Sequence, residues 1–177
     1  TVNSEHMGNR MFKIPAKHMN LIESSEKPKI FTPQHDDLIR TAYNMFKSQP
    51  LTGHGPKMFR IQCKNKKYAI GVSPCMTHPH NFYVQLLAET GVIGFAFLFS
   101  SFCYVLYSAL RQLKSVIFKQ KRPLTDYQVC LLAALLITVW PVTSNGSFFN
   151  NWLNIIYYIP IAFILHLDEK NKNFTYL

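Results

Sequence analysis

Apolar positions divide the chain into two parts with different periodicities. Up to residue 80 they are scattered among polar residues, and one stretch alone carries a helical period: Leu38, Ile39, Ala42, Met45 and Phe46 recur on one helix face. Thr32-Pro33 ahead of it reads as an N-cap followed by proline at the first helical position, with Asp36 and Asp37 in the first turns. Pro50 ends it, because a residue preceding proline is pushed out of the helical region. The pattern therefore predicts an amphipathic helix over 33–48. Residues 1–31 have no clear period and are expected to form an irregular loop. The segment 50–56, Pro-Leu-Thr-Gly-His-Gly-Pro, is rich in turn residues, and its two glycines suit tight backbone geometry near a ligand or another helix. A short helix through Met58, Phe59 and Ile61 is expected to follow.

Beyond residue 80 the apolar residues run together. Crossing roughly 30 Å of hydrocarbon takes about 20 mostly apolar residues, and three stretches qualify as spans: about 82–110, 126–143 and 148–167. The first has no charge between Val92 and Leu110, and no Asp, Glu, Lys or Arg occurs from Tyr127 to Leu167. Tyr127, Trp140, Trp152, Tyr157 and Tyr158 lie at or near span ends, where interfacial aromatics concentrate. Length and charge both weigh against the competing reading of buried helices in a soluble core.

Composition changes the picture in one respect. A chain of 177 residues with 48% hydrophobic residues and a mean hydropathy of zero resembles a soluble domain. That mean hides two environments, since residues 1–80 carry 12 Lys/Arg and 5 Asp/Glu whereas none occurs from Tyr127 to Leu167. Between the first and second spans lie Arg111, Lys114, Lys119, Lys121 and Arg122 without an acid, while the connection 143–151 is uncharged. The positive-inside rule makes the basic loop cytoplasmic. Residues 1–80 then lie outside the cytoplasm, 81–167 form the membrane domain, and 168–177 are a cytoplasmic tail. The expected fold is an all-α integral membrane protein with an extracytoplasmic helical loop segment followed by three transmembrane helices. Because an outer segment of 80 residues needs something to carry it across, earlier transmembrane helices are expected to precede Thr1, a removed signal sequence being the alternative.

The net charge of +10 raises the question of nucleic acid. The basic outer segment faces away from the cytoplasm and lacks interleaved aromatics, so anionic lipid headgroups are the better partners. Cys63 and Cys75 both fall in the outer segment, where oxidation is permitted, and a disulfide is favoured over free thiols. Cys103 and Cys130 fall within spans and read as small apolar packing residues.

The chemistry concentrates in Thr77-His78-Pro79-His80-Asn81, which leads into the first span. Pro79 fixes the backbone before a helix beginning near His80 or Asn81. Counted at 100° per residue, Gly91 returns to within about 20° and Gly94 to within about 40° of the face of His80, which predicts a side-chain-free groove beneath the histidine. Glu89 falls on the opposite face and is expected to contact a neighbouring helix or the interface. His78 and His80 as His-x-His have no third and fourth ligand at recognised spacing, so no metal site is expected.

These residues resemble the O-antigen ligase and O-antigen polymerase family of membrane glycosyltransferases. Its pattern is a histidine followed by Asn, Ser or Gln, nine residues, a glycine, two residues and a small residue. His80-Asn81, Gly91 and Gly94 fit it. Upstream, Arg40, the segment 50–56 and Phe59 are similar to the family's outer loop, and residues 146–152 are similar to its last loop; the resemblance covers about 33–167.

The resemblance implies metal-independent, inverting transfer of a glycan from undecaprenyl diphosphate to a sugar hydroxyl of lipid A-core at the periplasmic face of the bacterial inner membrane, without a cofactor. It implies His80 as the catalytic base, Arg40 with Arg60 and Lys57 as diphosphate contacts, and further arginines on earlier helices, so that this segment alone would be inactive. An imidazole with an ordinary pKa of about 6.5 suits a base near neutral pH, and the arginine fork suits phosphate. Read without the resemblance, His80 is a helix-capping residue, Arg40 a solvated charge and His54 part of a surface turn. A polysaccharide polymerase, a protein O-oligosaccharyltransferase and a non-catalytic membrane carrier are the alternative functions.

Overall fold

The computed structural model describes residues 7–18, 21 and 31–174. Every regular element among them is helical. After a π-helical stretch, Asn9–Lys13, come α1 (Ile14–His18), α2 (Pro33–Ser48), α3 (Phe59–Gln62), α4 (Phe82–Ile117), α5 (Asp126–Thr138) and α6 (Asn151–Phe174). The irregular loop expected over 1–31 is thereby corrected where residues are described: Ile14 N–H bonds Asn9 O, closing a local helical turn that buries nothing and so leaves no apolar period in the sequence. The remainder of that expectation lies outside the described residues.

α2 starts with Pro33 at its first position, where a missing N–H costs nothing. Thr32 occupies the N-cap without capping; its hydroxyl lies 3.2 Å from His35 Nδ1 instead. The apolar face of α2 supplies Leu38, Ala42 and Met45 to a core completed by Phe59 and Cys63 with Tyr68 and Ala88. Cys63 and Cys75 are joined by a disulfide with Cα atoms 5.0 Å apart, tying the end of α3 to the strap that leads to the histidines. Asp37 orders the same strap by accepting the backbone N–H groups of Val72 and Ser73 at 3.0 and 3.1 Å.

α4 has 36 residues and is the one described helix long and apolar enough to cross a membrane. In its most apolar 18-residue window, mean hydropathy 1.8, only 11% is buried, which is the reverse of a soluble core helix. The helix departs from helical geometry at Gly91 (φ 66°, ψ −160°), so its first turns stand apart from the apolar run that follows. The helical stretches expected as the second and third spans are shorter than the sequence predicts. α5 ends at Thr138 rather than 143, because Pro141 forces the chain out of helix just beyond the Val139 C-cap. α6 begins at Asn151 rather than 148, because Asn150 Oδ1 accepts the Trp152 and Leu153 N–H groups at 3.2 and 3.4 Å. Its apolar part is Asn151–His166, and the helix continues to Phe174 through the segment expected as a tail. α4, α5 and α6 pack through Phe82, Leu86, Leu98, Phe102 and Val139, with Phe148 and Tyr157 against them.

Candidate functional site

The histidine segment is held by the loop between α5 and α6. Asn81 is the N-cap of α4: its Oδ1 accepts Val84 N–H at 3.1 Å, and its Nδ2 donates to Pro141 O at 2.6 Å. His80 O accepts Asn145 N–H at 2.9 Å, and the Tyr83 hydroxyl donates to Val139 O. Asn81 thus starts the helix and, with His80 O and the Tyr83 hydroxyl, straps residues 139–145 across its N-terminal end. Pro79 is fully buried beneath this strap.

His80 itself has φ 57°, the left-handed region that non-glycine residues seldom enter. Its ring lies 4.2 Å from that of His78 and 5.5 Å from that of His35, centroid to centroid, the latter edge to face. His35, Ile39, His80 and Asn81 line a small open cleft of about 40 Å³ with Phe31, Pro79 and residues 142–144. Burial first, and then the charge of His35, lowers the His80 pKa below its ordinary 6.5. Burial first, then His80, does the same for His78. At neutral pH the His80 imidazole is therefore uncharged and has a lone pair to accept a proton.

The other residues singled out in the sequence are distributed more widely. Arg40 lies one position beyond the cleft residue Ile39 and forms an exposed ion pair with Asp36 at 3.7 Å. Arg60 is exposed beside the disulfide and lies within electrostatic reach of His78. Lys57, with φ 62°, is exposed in the turn before α3. None of these three cations lines the cleft. The groove predicted from Gly91 and Gly94 is a correction: a 100° count does not carry through the break at Gly91, and His80 precedes the helix altogether. Gly91 instead abuts the backbone of Pro50 and Leu51, and Gly94 abuts the Thr90 side chain.

His54 belongs to the scaffold: its Nε2 lies 2.9 Å from Ser48 Oγ and 3.0 Å from Met45 O, at the end of α2. His35 and Gln85 were not singled out by the sequence. His35 reaches the site only because α2 packs across the start of α4. Gln85 is buried in a span-like segment, where its amide bonds Phe148 N–H at 2.9 Å and Ser147 Oγ at 3.0 Å. A glutamine inside an apolar run was the available signal.

His35, His78 and His80 thus form a half-buried histidine cluster at the N-terminal end of a helix long and apolar enough to cross a membrane. The family described as O-antigen ligase matches residues 11–99, half of the chain, and the chain belongs to that family. The match includes Arg40, Lys57, Arg60, His80, Asn81, Gly91 and Gly94 but not the 146–152 segment. Membership implies glycosyl transfer of the O-antigen ligase or polymerase type by a membrane protein. No curated protein and no solved structure matches the chain.

Proposed function

We propose that the chain carries the acceptor-activating part of an O-antigen ligase, which moves a glycan from undecaprenyl diphosphate to a sugar hydroxyl of lipid A-core. His80 is the general base. It takes the proton of the acceptor hydroxyl, whose oxygen attacks the anomeric carbon from the face opposite the diphosphate; the anomeric C–O bond breaks, and undecaprenyl diphosphate leaves as an anion with inversion. The observation that carries this reading is an imidazole whose pKa is lowered by burial and by His35, lining a small cleft, within the residues that match the family.

In this reading the charge on the leaving group is met by side chains, Arg60 and Lys57 from the α3 turn and Arg40 from α2, rather than by a metal ion. The topology that suits it has α4, α5 and α6 as three spans of the bacterial inner membrane, the 111–122 loop cytoplasmic and the histidines periplasmic. The stretch 111–122 carries five basic residues and no acid. α5 and the apolar part of α6 are short for spans, and Pro160 inside α6 offers a point of bending.

Cells in which His80→Ala replaces the native residue should accumulate lipid-linked glycan and leave lipid A-core unsubstituted. Normal attachment of the glycan would remove the base assignment. Single repeats on the acceptor, without longer chains, would instead mark a polymerase.

A further inference from the structure

Among the described residues Glu89 is the only fully buried charged side chain, and the proposed reaction makes no use of it. Its two oxygens hold different parts of the molecule. Oε1 accepts the backbone N–H of Phe59, the first residue of α3, at 2.7 Å. Oε2 accepts Gln85 Nε2 at 3.0 Å, and Gln85 in turn bonds Ser147 Oγ and Phe148 N–H at 3.0 and 2.9 Å. One carboxylate therefore ties the α3 turn, the outer end of α4 and the loop after α5. A buried network of this kind fixes geometry at high stakes, because each member left unpaired is costly.

Two neighbours give that geometry a purpose. Phe59 is followed directly by Arg60, which is exposed and within electrostatic reach of both Glu89 and His78. The loop anchored at Ser147 and Phe148 also supplies the cleft wall at residues 142–144 and the Asn145 N–H that holds His80 O. The same carboxylate thus sets the position of a solvent-facing cation and, through Gln85, the wall beside the histidine.

We propose that Glu89 is a positioning residue that sets the Arg60-bearing turn for a polyprenyl diphosphate headgroup above the His80 cleft. The proposal rests on the reading of Arg60 as a diphosphate contact. Glu89→Gln places an amide N–H against the Gln85 amide N–H, so the link fails while the volume is kept. Glu89→Asp keeps the charge but withdraws it from Phe59 N–H, and it carries less risk to folding. Exchanging the pair, Gln85→Glu with Glu89→Gln, restores one carboxylate and one amide in contact.

The test uses the full-length protein in detergent, with farnesyl diphosphate as the probe and thermal melting to correct for the folded fraction. Glu89→Gln is expected to raise the probe Kd and the KM of the lipid-linked donor about tenfold, and Glu89→Asp at least threefold, with the acceptor KM unchanged. The exchanged pair should return to within about threefold of the starting protein. In an Arg60→Ala background Glu89→Gln should have no further effect on Kd, because it acts through Arg60.

An unchanged Kd in folded Glu89→Asp, or equal changes in donor and acceptor KM, would overturn the proposal. So would a full additional loss in the Arg60→Ala background. Unsubstituted protein that fails to bind the probe overturns it as well. Protein that binds the probe with this pattern yet transfers no glycan removes the ligase reading and leaves the positioning role standing.

Discussion

Gly53 and Gly91 meet where α4 leaves helical geometry. Both have positive φ, 64° and 66°. A Cβ on Gly53 would overlap the Glu89–Thr90 peptide, and one on Gly91 would overlap the carbonyl of Leu51. Freed from the helix by the break, backbone groups pair across the contact: Val92 N–H with Pro50 O at 2.9 Å, Gly55 N–H with Glu89 O at 2.8 Å and His54 N–H with Ala88 O at 3.1 Å. The 50–55 turn is thus seated in α4, and it carries α2 and the outer segment with it.

Gly91→Ala and Gly53→Ala should each destabilise the protein by more than about 1–3 kcal/mol, the cost of the backbone conformation alone before any overlap is relieved. At Gly94 an added Cβ would overlap Thr90 at both Oγ1 and Cβ, and relieving that gives up the Thr90 hydroxyl bond to Leu86 O, so Gly94→Ala should also destabilise the protein, but by less than Gly91→Ala, which adds the cost of positive φ. Thermal melting in detergent ranks the three. A Gly91→Ala melting temperature equal to or above that of Gly94→Ala would show that the break adds no cost of its own.

How far this architecture was legible is clearest at its two ends. α2 was readable from proline at both borders and an unbroken apolar period between them. The break at Gly91 was not, because glycine inside a helical pattern signals nothing by itself; the partner that demands it, the 50–55 turn, is some forty residues earlier in the chain. His80 and Asn81 stood out through their motif, whereas His35 did not. Its proximity to His80 is a tertiary fact, created by α2 lying across the histidine segment. The shortness of the two later apolar helices has a local origin: Pro141 and Asn150 end and start helices, against a hydropathy that continues past them.

Protons on the histidines connect structure to pH. Burial first, and then repulsion from His35, lowers the His80 pKa, and burial first, then His80, lowers that of His78. His35→Ala should therefore move the acid limb of the rate upward in pH, partway toward 6.5, with the neutral-pH rate retained. An acid limb that stays in place would show that His35 is not coupled to the base. Stability follows the same sign. The folded state binds fewer protons than the unfolded chain at His78 and His80, so their contribution is complete above about pH 6.5 and falls as pH drops below it. Melting at pH 7.5 and at pH 5 measures this, and a higher melting temperature at pH 5 would contradict it.

Asn81 performs two tasks, so its loss should exceed that of an ordinary cap. Asn81→Ala removes the bond to Val84 N–H and leaves Pro141 O without its donor. We expect about 1–2 kcal/mol of destabilisation. Asn81→Asp, which caps but has no N–H to donate, separates the two: it should retain the cap and still loosen residues 139–145. Hydrogen exchange over that loop should rise in both variants. Unchanged exchange in Asn81→Asp would deny the strap.

The disulfide closes a loop of sequence separation 12 and constrains the unfolded chain. Reduction, or Cys63→Ser with Cys75→Ser, should cost about 3 kcal/mol and lower the melting temperature by about 5–10 °C. The affected region should be the 63–75 strap and the histidines after it. An unaltered melting curve under reductant would indicate that the α2–α3 core alone holds the strap.

The proposed role of His80 as the base is measured most directly by glycan transfer by the purified full-length protein from undecaprenyl-diphosphate-linked donor to lipid A-core. General-base catalysis of this kind contributes about 10²–10⁴ in rate. His80→Ala should lower the transfer rate by at least about a hundredfold at an unchanged melting temperature. A folded His80→Ala protein that transfers glycan at the unsubstituted rate would contradict it.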